Sequence, residues 1–145
     1  MKNCLRAYLE ERMAASDFVI HYHIGNSFSG ETEFMLGGDG NYELWSTVTK
    51  GRHRITYSGQ VEVEQVKQVA KEFLDAEIWK TEHLREKPIP DDPEASIIIE
   101  CAGQKFKVVL WVSEIRKSPQ FAKAQQSLLT LVHTLSSGEI LETGQ

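Results

Sequence analysis

Hydrophobic residues recur along this chain with two different periods, which separate strands from helices. Phe18, Ile20 and Tyr22 alternate with less apolar residues, a period of two that is typical of a strand with one buried face. Val66, Val69 and Phe73 follow the spacing of an amphipathic helix. The two periods predict helices at 3–15 and 62–78 and from Ser118 to Gly138, strands at 18–24, 32–37, 42–49 and 53–59, and a further hairpin across 96–111.

This order of elements, α-β-β-β-β-α-β-β-α, predicts an α+β fold with an antiparallel sheet of about six strands. Short connections make successive strands antiparallel neighbours, and the two long helices are placed together on one face of the sheet. A chain of 145 residues fits a single domain, 1–145. Within it we expect an N-terminal helix at 1–16, an acidic, proline-rich loop at 80–94 and a tail at 139–145.

The turn residues between the strands predict a register for each hairpin. A three-residue loop, Asp39-Gly40-Asn41, sets Leu36 opposite Leu44, whereas a loop with an even residue count would mix the two faces. The run from Gly37 to Asn41 is therefore interpreted as a hairpin turn and not as a phosphate-binding loop. The same reasoning pairs Val48 with Ile55 across Gly51-Arg52, and Cys101 with Phe106 across Gly103-Gln104.

Composition and charge exclude several classes of protein. Hydrophobic residues at 41% and charged residues at 26% are ordinary for a globular domain and fit neither a disordered nor a membrane protein. The longest apolar run, Val108 to Val112, is far shorter than the roughly 20 residues of a membrane-spanning helix. The formal net charge of −5 argues against nucleic-acid binding by the chain as a whole, because the phosphate backbone is also negative.

The two cysteines and the N-terminal segment indicate the cellular compartment of the protein. Cys4 and Cys101 each stand among apolar neighbours, and we expect both to be buried free thiols. The segment from Met1 to Ser16 carries charges throughout and does not resemble the apolar core of a signal peptide. A cytoplasmic location is therefore expected.

The second face of the sheet is the candidate binding surface. It is too apolar for a face that meets only solvent, and it contains tryptophan, methionine and arginine, which are enriched at protein interfaces. Its predicted members are Val19, His21, His23, Met35, Trp45, Thr47, Arg54, Ile98, Val109 and Trp111. We expect a protein partner or a homodimer there, with Trp45, Arg54, Met35, Trp111, His21 and His23 as binding residues. The alternative is that the N-terminal helix covers this face as ordinary core.

A metal site is a second hypothesis for the same face. His21 and His23 lie two residues apart on a strand, so both imidazoles can reach one ion, with Glu33 or Glu43 as a third ligand. The chain lacks the H-E-x-x-H and C-x-x-C spacings that would complete such a site. We therefore assign no metal ligand and no cofactor, and the alternative function would be a metal-binding protein or metal-dependent hydrolase.

A basic hairpin tip supports a third hypothesis, nucleic-acid binding. Basic and aromatic side chains together can pair phosphates and stack bases. The cluster consists of Lys50, Arg52, His53 and Arg54, with Trp45 and Tyr57 nearby. The overall acidity of the chain favours a solvated turn instead.

No catalytic residues are assigned. Ser27, Ser29 and Ser46 lack a G-x-S-x-G setting, and neither cysteine has an activating partner in the sequence. Asp91-Asp92 lies in the proline-rich loop, where solvated carboxylates are expected to keep ordinary properties.

Loose motifs across 18–135 give the chain a likeness to a known family. They are Gly38-Asp39-Gly40 with Tyr42 and Leu44, Gly59, Val63-Glu64-Gln65-Val66 with Phe73, Asp92-Pro93, Ser96, and Gly103 with Lys105, Lys107 and Val108. In these the chain resembles a family of uncharacterised small bacterial domains. The resemblance implies an α+β fold and a bacterial source, and it brings no catalytic residues. Family members often have a cysteine in the opening glycine-rich loop, whereas Ser27-Phe28-Ser29-Gly30 has none.

These observations together predict a non-catalytic, cytoplasmic protein–protein interaction domain. It would act as an accessory subunit or as an inhibitor, such as the immunity-like antagonist of a toxin. The acidic loop at 80–94 could then cover a basic site on the partner, since opposite charges steer association.

Overall fold

The computed structural model describes residues 1–26, 28–49, 53–82 and 92–140, which form three α-helices and one six-stranded sheet. The helices are α1 (Lys2–Leu9), α2 (Val63–Ala76) and α3 (Pro119–Leu135). The strands are β1 (Phe18–Asn26), β2 (Gly30–Gly37), β3 (Asn41–Ser46), β4 (Ile55–Gln60), β5 (Glu94–Cys101) and β6 (Gln104–Trp111). Short 3₁₀ turns occupy Ala15–Asp17, Ile78–Lys80 and Val112–Lys117. The α+β class and the predicted order of helices and strands are confirmed.

The sheet is antiparallel throughout, with its strands in the order β4-β3-β2-β1-β5-β6. Its inner face forms the core. Ile20 of β1 lies between Leu36 of β2 and Ile99 of β5, and all three side chains are fully buried. Because successive residues of a strand point to opposite faces, the residues between these positions form a second, outer face.

The two long helices pack together on the inner face, as predicted. Helix α2 buries Val66, Ala70 and Phe73 along one stripe. Helix α3 contacts α2 and begins after Ser118, with Pro119 at its first position. Its Gln125 Nε2 donates to the hydroxyl of Tyr22, 3.0 Å away, and so satisfies a polar group in the middle of the core.

The N-terminal helix α1 lies on the inner face too, so the alternative that it covers the outer face is wrong. The ring of Tyr8 stacks on Phe18, with 4.2 Å between ring centroids, and its hydroxyl donates to the carbonyl oxygen of Gly38 at 2.7 Å. A Cβ at Gly38 would lie 2.4 Å from the carbonyl oxygen of Ala15, so only glycine permits this approach. The helix is shorter than the predicted 3–15, because it ends at Leu9 and Glu11 takes a left-handed φ of 59°.

The hairpin of β2 and β3 keeps the predicted faces but not the predicted register. Leu36 pairs with Tyr42, and Leu44 pairs with Phe34, a shift of two residues. The three-residue loop is Gly38-Asp39-Gly40 and not Asp39-Gly40-Asn41, and Gly40 at its last position takes a φ of 95°, a conformation that favours glycine. A shift of two leaves every side chain on its predicted face, so Leu36 and Leu44 are both buried.

The other two predicted registers are wrong by the same two residues. Ile55 pairs with Ser46 and not with Val48, and residues 50–52 of the predicted Gly51-Arg52 turn lie outside the described residues. Cys101 pairs with Gln104, and the turn is Ala102-Gly103, both with positive φ. This is the backbone of a type I′ turn, which matches the twist of the strands. Phe106, the predicted partner of Cys101, pairs with Ile99.

Cys4 and Cys101 form a disulfide, which corrects the expectation of two free thiols. Their Cα atoms are 6.1 Å apart across 97 residues of sequence. Both side chains lie among core residues, so burial was predicted correctly and the chemical state was not. The link joins α1 to the end of β5, and it was missed because residues so far apart in sequence give no local signal of contact.

The disulfide should contribute strongly to stability. By chain entropy, cross-linking a loop of roughly 100 residues stabilises a fold by about 4–5 kcal/mol. We expect Cys4→Ala/Cys101→Ala to lower the free energy of unfolding by several kcal/mol, measured by urea denaturation. Reducing agent should destabilise the unmodified protein and leave the variant unchanged. Equal stability of the oxidised and reduced protein would contradict this bridge.

The Tyr8 hydroxyl predicts a loss of stability in alkali. Burial, and then the nearby carboxylates of Asp39 and Glu64, raise the pKa of Tyr8 to about 12 from 10.0. The folded state therefore holds this proton more tightly than the unfolded state, so the stabilisation is complete below pH 10 and is lost as the pH rises towards 12. We expect Tyr8→Phe to flatten this decline in urea denaturation at pH 8 to 11. An unchanged slope would show that Tyr8 titrates alike in both states.

The predicted loop and tail are described only in part. Of the loop at 80–94, residues 83–91, with His83 and Asp91, lie outside the described residues, and Glu94 already belongs to β5. Of the tail at 139–145, the described Ile140 is buried and forms an isolated β-bridge with Thr49. The prediction of a tail is therefore wrong for Ile140, and residues 141–145 lie outside the described residues. No helix within the described ranges is long and apolar enough to cross a membrane.

Candidate protein-interaction surface

The outer face of the sheet is left uncovered by α1, α2 and α3, and we call it the open face. It carries the alternate residues of each strand whose neighbours point into the core. Its central members are Val19, His21 and His23 of β1, Glu31, Glu33 and Met35 of β2, Glu43 and Trp45 of β3, Thr56 and Ser58 of β4, Glu94, Ser96, Ile98 and Glu100 of β5, and Lys105, Lys107, Val109 and Trp111 of β6.

The strand registers arrange the centre of this face in two rows that cross the sheet. The His23 row runs Val109, Ser96, His23, Glu33, Trp45 and Thr56 from β6 to β4. The His21 row runs Lys107, Ile98, His21, Met35, Glu43 and Ser58 in the same direction. Side chains directly opposite on neighbouring strands are close enough to touch, so each row is a continuous strip of contacts.

The apolar side chains of the open face reach solvent. Met35 is 39% exposed, and Trp45, Ile98, Val109 and Trp111 are half-buried. Half-buried aromatic and aliphatic groups keep area that a partner can cover while their conformations are already restricted, which lowers the entropic cost of binding. The arrangement suits association with another protein surface.

Trp45 and Arg54 form the most defined contact of the face. The guanidinium carbon of Arg54 lies 4.4 Å from the centroid of the Trp45 ring, a cation–π geometry. The structure thus brings together Met35, Trp45 and Arg54 beside His21 and His23. Trp111 lies on β6, four strand positions from Trp45, or about 19 Å at the usual spacing of strands.

The basic tip is described only in part. Lys50 and Arg52 lie outside the described residues, whereas His53 and Arg54 are exposed. Arg54 covers one side of the Trp45 ring, so that side cannot stack a base without displacing it. Nucleic-acid binding through this tip stays a prediction.

The two histidines share the open face, as predicted from their spacing. His23 stands between Glu33 and Ser96, and its Nε2 is 3.8 Å from Glu31 Oε2. His21 stands between Met35 and Ile98. Glu43 lies opposite Met35, two strands from His21, and is not directly opposite either histidine. Within 1–26, 28–49, 53–82 and 92–140, no group of three histidine, cysteine or carboxylate residues is placed to hold a metal ion.

The metal hypothesis has a direct test. A zinc site needs three or four protein ligands in tetrahedral order, and the imidazoles supply two. We expect protein incubated with zinc and then desalted to retain less than one equivalent by elemental analysis. His21→Ala/His23→Ala is the control. One equivalent of zinc in the unmodified protein that is absent from this variant would establish the site and contradict our expectation.

The serines considered as nucleophiles are engaged in structural contacts. Ser29 Oγ donates to the side-chain oxygen of Asn26 at 2.9 Å, and Ser46 Oγ lies 2.7 Å from Thr32 Oγ1. Ser27 lies outside the described residues. Cys4 and Cys101 are oxidised, which removes the thiolate that nucleophilic catalysis needs.

Phe28 is an exposed aromatic residue that the sequence reasoning did not count as a binding residue. It is 81% exposed at the tip of the β1–β2 hairpin. The side-chain oxygen of Asn26 accepts hydrogen bonds from the backbone N–H groups of Phe28 and Ser29, at 2.9 and 2.8 Å, which fixes the backbone that presents the ring. An aromatic residue within an otherwise polar loop was the available signal.

A groove between α2 and α3, on the opposite side of the molecule, is a second candidate surface. It encloses about 430 Å³, and Val69 and Leu131 are its apolar members. Its other lining residues are polar or charged, and none is aromatic or arginine. Since aromatic residues and arginine carry much of the binding energy of interfaces, the open face is the stronger candidate.

Comparison with known proteins adds no function to this geometry. No protein-family model matches the sequence, and no curated protein matches it significantly. The resemblance to uncharacterised bacterial domains therefore stays a prediction, and the functional argument rests on the open face.

Proposed function

We propose that this chain is a non-catalytic protein-interaction domain that binds protein through the open face. One observation carries the proposal. All three helices pack on the inner face, and the opposite face presents Trp45, Met35 and Ile98 to solvent beside charged residues. In a free monomer these apolar groups stay in contact with water and do not stabilise the fold, whereas a partner that covers them removes apolar area from water.

The positions of apolar and charged residues on the open face favour specific binding of one protein over nonspecific hydrophobic association. Ile98 and Met35 flank His21 in the middle of the His21 row, and charged Lys107 and Glu43 stand outside them. In the His23 row the apolar Val109 and Trp45 stand on either side of polar residues. A non-obligate protein interface is about as apolar as the rest of the protein surface, and this mixture fits one. Truncation of a central aromatic anchor commonly costs about 2 kcal/mol of binding energy or more.

The finer parts of the proposal concern role and location. An accessory subunit and an inhibitor of immunity type both use such a surface, and the acidic loop invoked for the inhibitor lies mainly outside the described residues. A cytoplasmic location was expected, but the Cys4–Cys101 disulfide weighs against it, because cytosolic reductants keep most thiols reduced.

The test is affinity capture with matched surface variants. The bait is the tagged chain, the source is a nuclease-treated lysate of the organism that encodes it, and the readout is mass spectrometry. We expect a stoichiometric protein partner, which can be another copy of the chain, to be captured by the unmodified bait. Capture should be lost with Trp45→Ala or Met35→Asp, because both disrupt the centre of the open face.

The control for these variants is Lys71→Asp, which places a new carboxylate on the exposed side of α2. It should capture the partner as the unmodified bait does. If Met35→Asp still captured the partner and Lys71→Asp did not, the binding surface would lie on the helices and not on the open face. The absence of any captured protein, other copies included, would contradict the proposed function.

A further inference from the structure

We propose that the occupant of the open face is a second copy of this chain, packed sheet against sheet about a two-fold axis that runs along β1. This inference rests on the proposed function, since it names the partner of the same surface. Lys105 and Lys107 are exposed on β6, at one edge of the open face, with Glu94 and Glu100 on the neighbouring strand β5. Glu33 and Glu43 are exposed on β2 and β3, on the other side of β1.

A face with lysines on β6 and a glutamate on β3 brings these opposite charges together in only one of its two face-to-face orientations. If the two-fold axis ran across the strands, each strand would lie over its own copy, so the lysines of β6 would face no glutamate. With that axis at the His21 row, Lys107 would meet Lys107 and Glu43 would meet Glu43. Like charges in close opposition are unfavourable, so an orientation that pairs lysine with glutamate is preferred.

A two-fold axis parallel to the strands exchanges the two sides. With the axis along β1, β6 of one copy lies over β3 of the second copy, and β5 lies over β2, because these strands are equally distant from β1. In the His21 row, Lys107 then faces Glu43, Ile98 faces Met35, and His21 lies on the axis and faces itself. Each of the off-axis pairs occurs twice, as in every two-fold interface.

The His23 row agrees with the same axis. Val109 faces Trp45 of the second copy, and Ser96 faces Glu33, to which its hydroxyl can donate a hydrogen bond. The one like-charge pair that results, Glu94 facing Glu31, falls at the edge of the overlap, where water screens it. The Ile98–Met35 and Ser96–Glu33 pairs therefore lie next to the axis, and the Lys107–Glu43 pairs lie on the outermost strands of the overlap.

The overlap is large enough for a weak, specific dimer. Five strands at about 4.8 Å spacing, by six to eight residues at about 3.4 Å each, cover on the order of 600 Å² per copy. Specific interfaces begin near roughly 600 Å² per partner and average about 800 Å². β4 stays outside the overlap, since the sheet has only two strands on the other side of β1.

The test uses the Lys107–Glu43 pair in sedimentation velocity over a range of protein concentration. We expect the unmodified protein to form a dimer, and Lys107→Glu or Glu43→Lys alone to weaken dimerisation at least tenfold. The double variant should recover it. Mixing the two single variants should also recover it, because in the mixed dimer both contacts join a lysine to a glutamate. Lys71→Glu, the same charge change on α2, should dimerise normally.

A cross-linking experiment checks the axis independently of affinity. Facing sheets lie about 10 Å apart, within reach of a short bismaleimide between cysteines. His21→Cys lies on the axis and should cross-link to its own copy, whereas Lys107→Cys alone should not. An equal mixture of Lys107→Cys and Glu43→Cys should cross-link between the two chains. The native cysteines are in the disulfide and do not react.

The possible outcomes separate this inference from the proposed function. A protein that stays monomeric at every concentration while Met35→Asp abolishes capture of a different protein overturns the dimer and leaves the interaction domain standing. A monomer that captures nothing overturns both. A dimer that the single charge reversals do not weaken, or that their combination does not restore, overturns the axis along β1.

Discussion

The position of α1 on the inner face of the sheet determines that the outer face is exposed to solvent. A helix of eight residues has few hydrogen bonds and is marginal by itself, so its place depends on what it contacts. Three contacts hold α1 on the inner face. They are the stacking of Tyr8 on Phe18, the hydrogen bond from Tyr8 to Gly38 and the disulfide between Cys4 and Cys101. With α1 held there beside α2, nothing among the three helices remains to cover the outer face. The open face is a direct consequence of that placement.

The open face combines two properties of a binding surface, apolar side chains and charges that lie on different strands. The apolar residues Ile98, Met35 and Trp45 supply area to remove from water. The charges at the sides, Lys107 and Glu43, fix orientation, because only one alignment brings opposite signs together. Both properties follow from strand order, since β6 and β3 lie at equal distance from β1.

The sequence predicted the faces of this fold much better than its registers. Alternation determines which side a residue occupies, and a shift of two residues preserves it, so Leu36 and Leu44 were placed correctly although their pairing was not. The registers depended on which residue of each turn takes a positive φ. In the β2–β3 loop the residue with a positive φ is Gly40, and in the last hairpin both Ala102 and Gly103 have one.

The sequence predicted which residues form the candidate site, but it did not predict whether they are buried or exposed. The period-two alternation of the sequence places His21, Met35 and Trp45 on one face. Whether that face was core or surface depended on α1, whose anchoring contacts span 10 to 97 residues of sequence and leave no local pattern. Phe28 was missed because propensity describes a loop and does not show how far its side chains project.

The central claim is that the open face is accessible in the isolated chain and covered in the working assembly. Hydroxyl-radical footprinting over a dilution series measures this for Met35 and Trp45, with Met13, which is packed against the core, as the internal reference. The account predicts that both open-face residues are oxidised quickly at low concentration and become protected as the concentration rises, while Met13 does not change. Slow oxidation of Met35 and Trp45 at dilutions where sedimentation shows a monomer would mean that the chain covers this face itself, and would contradict an accessible open face.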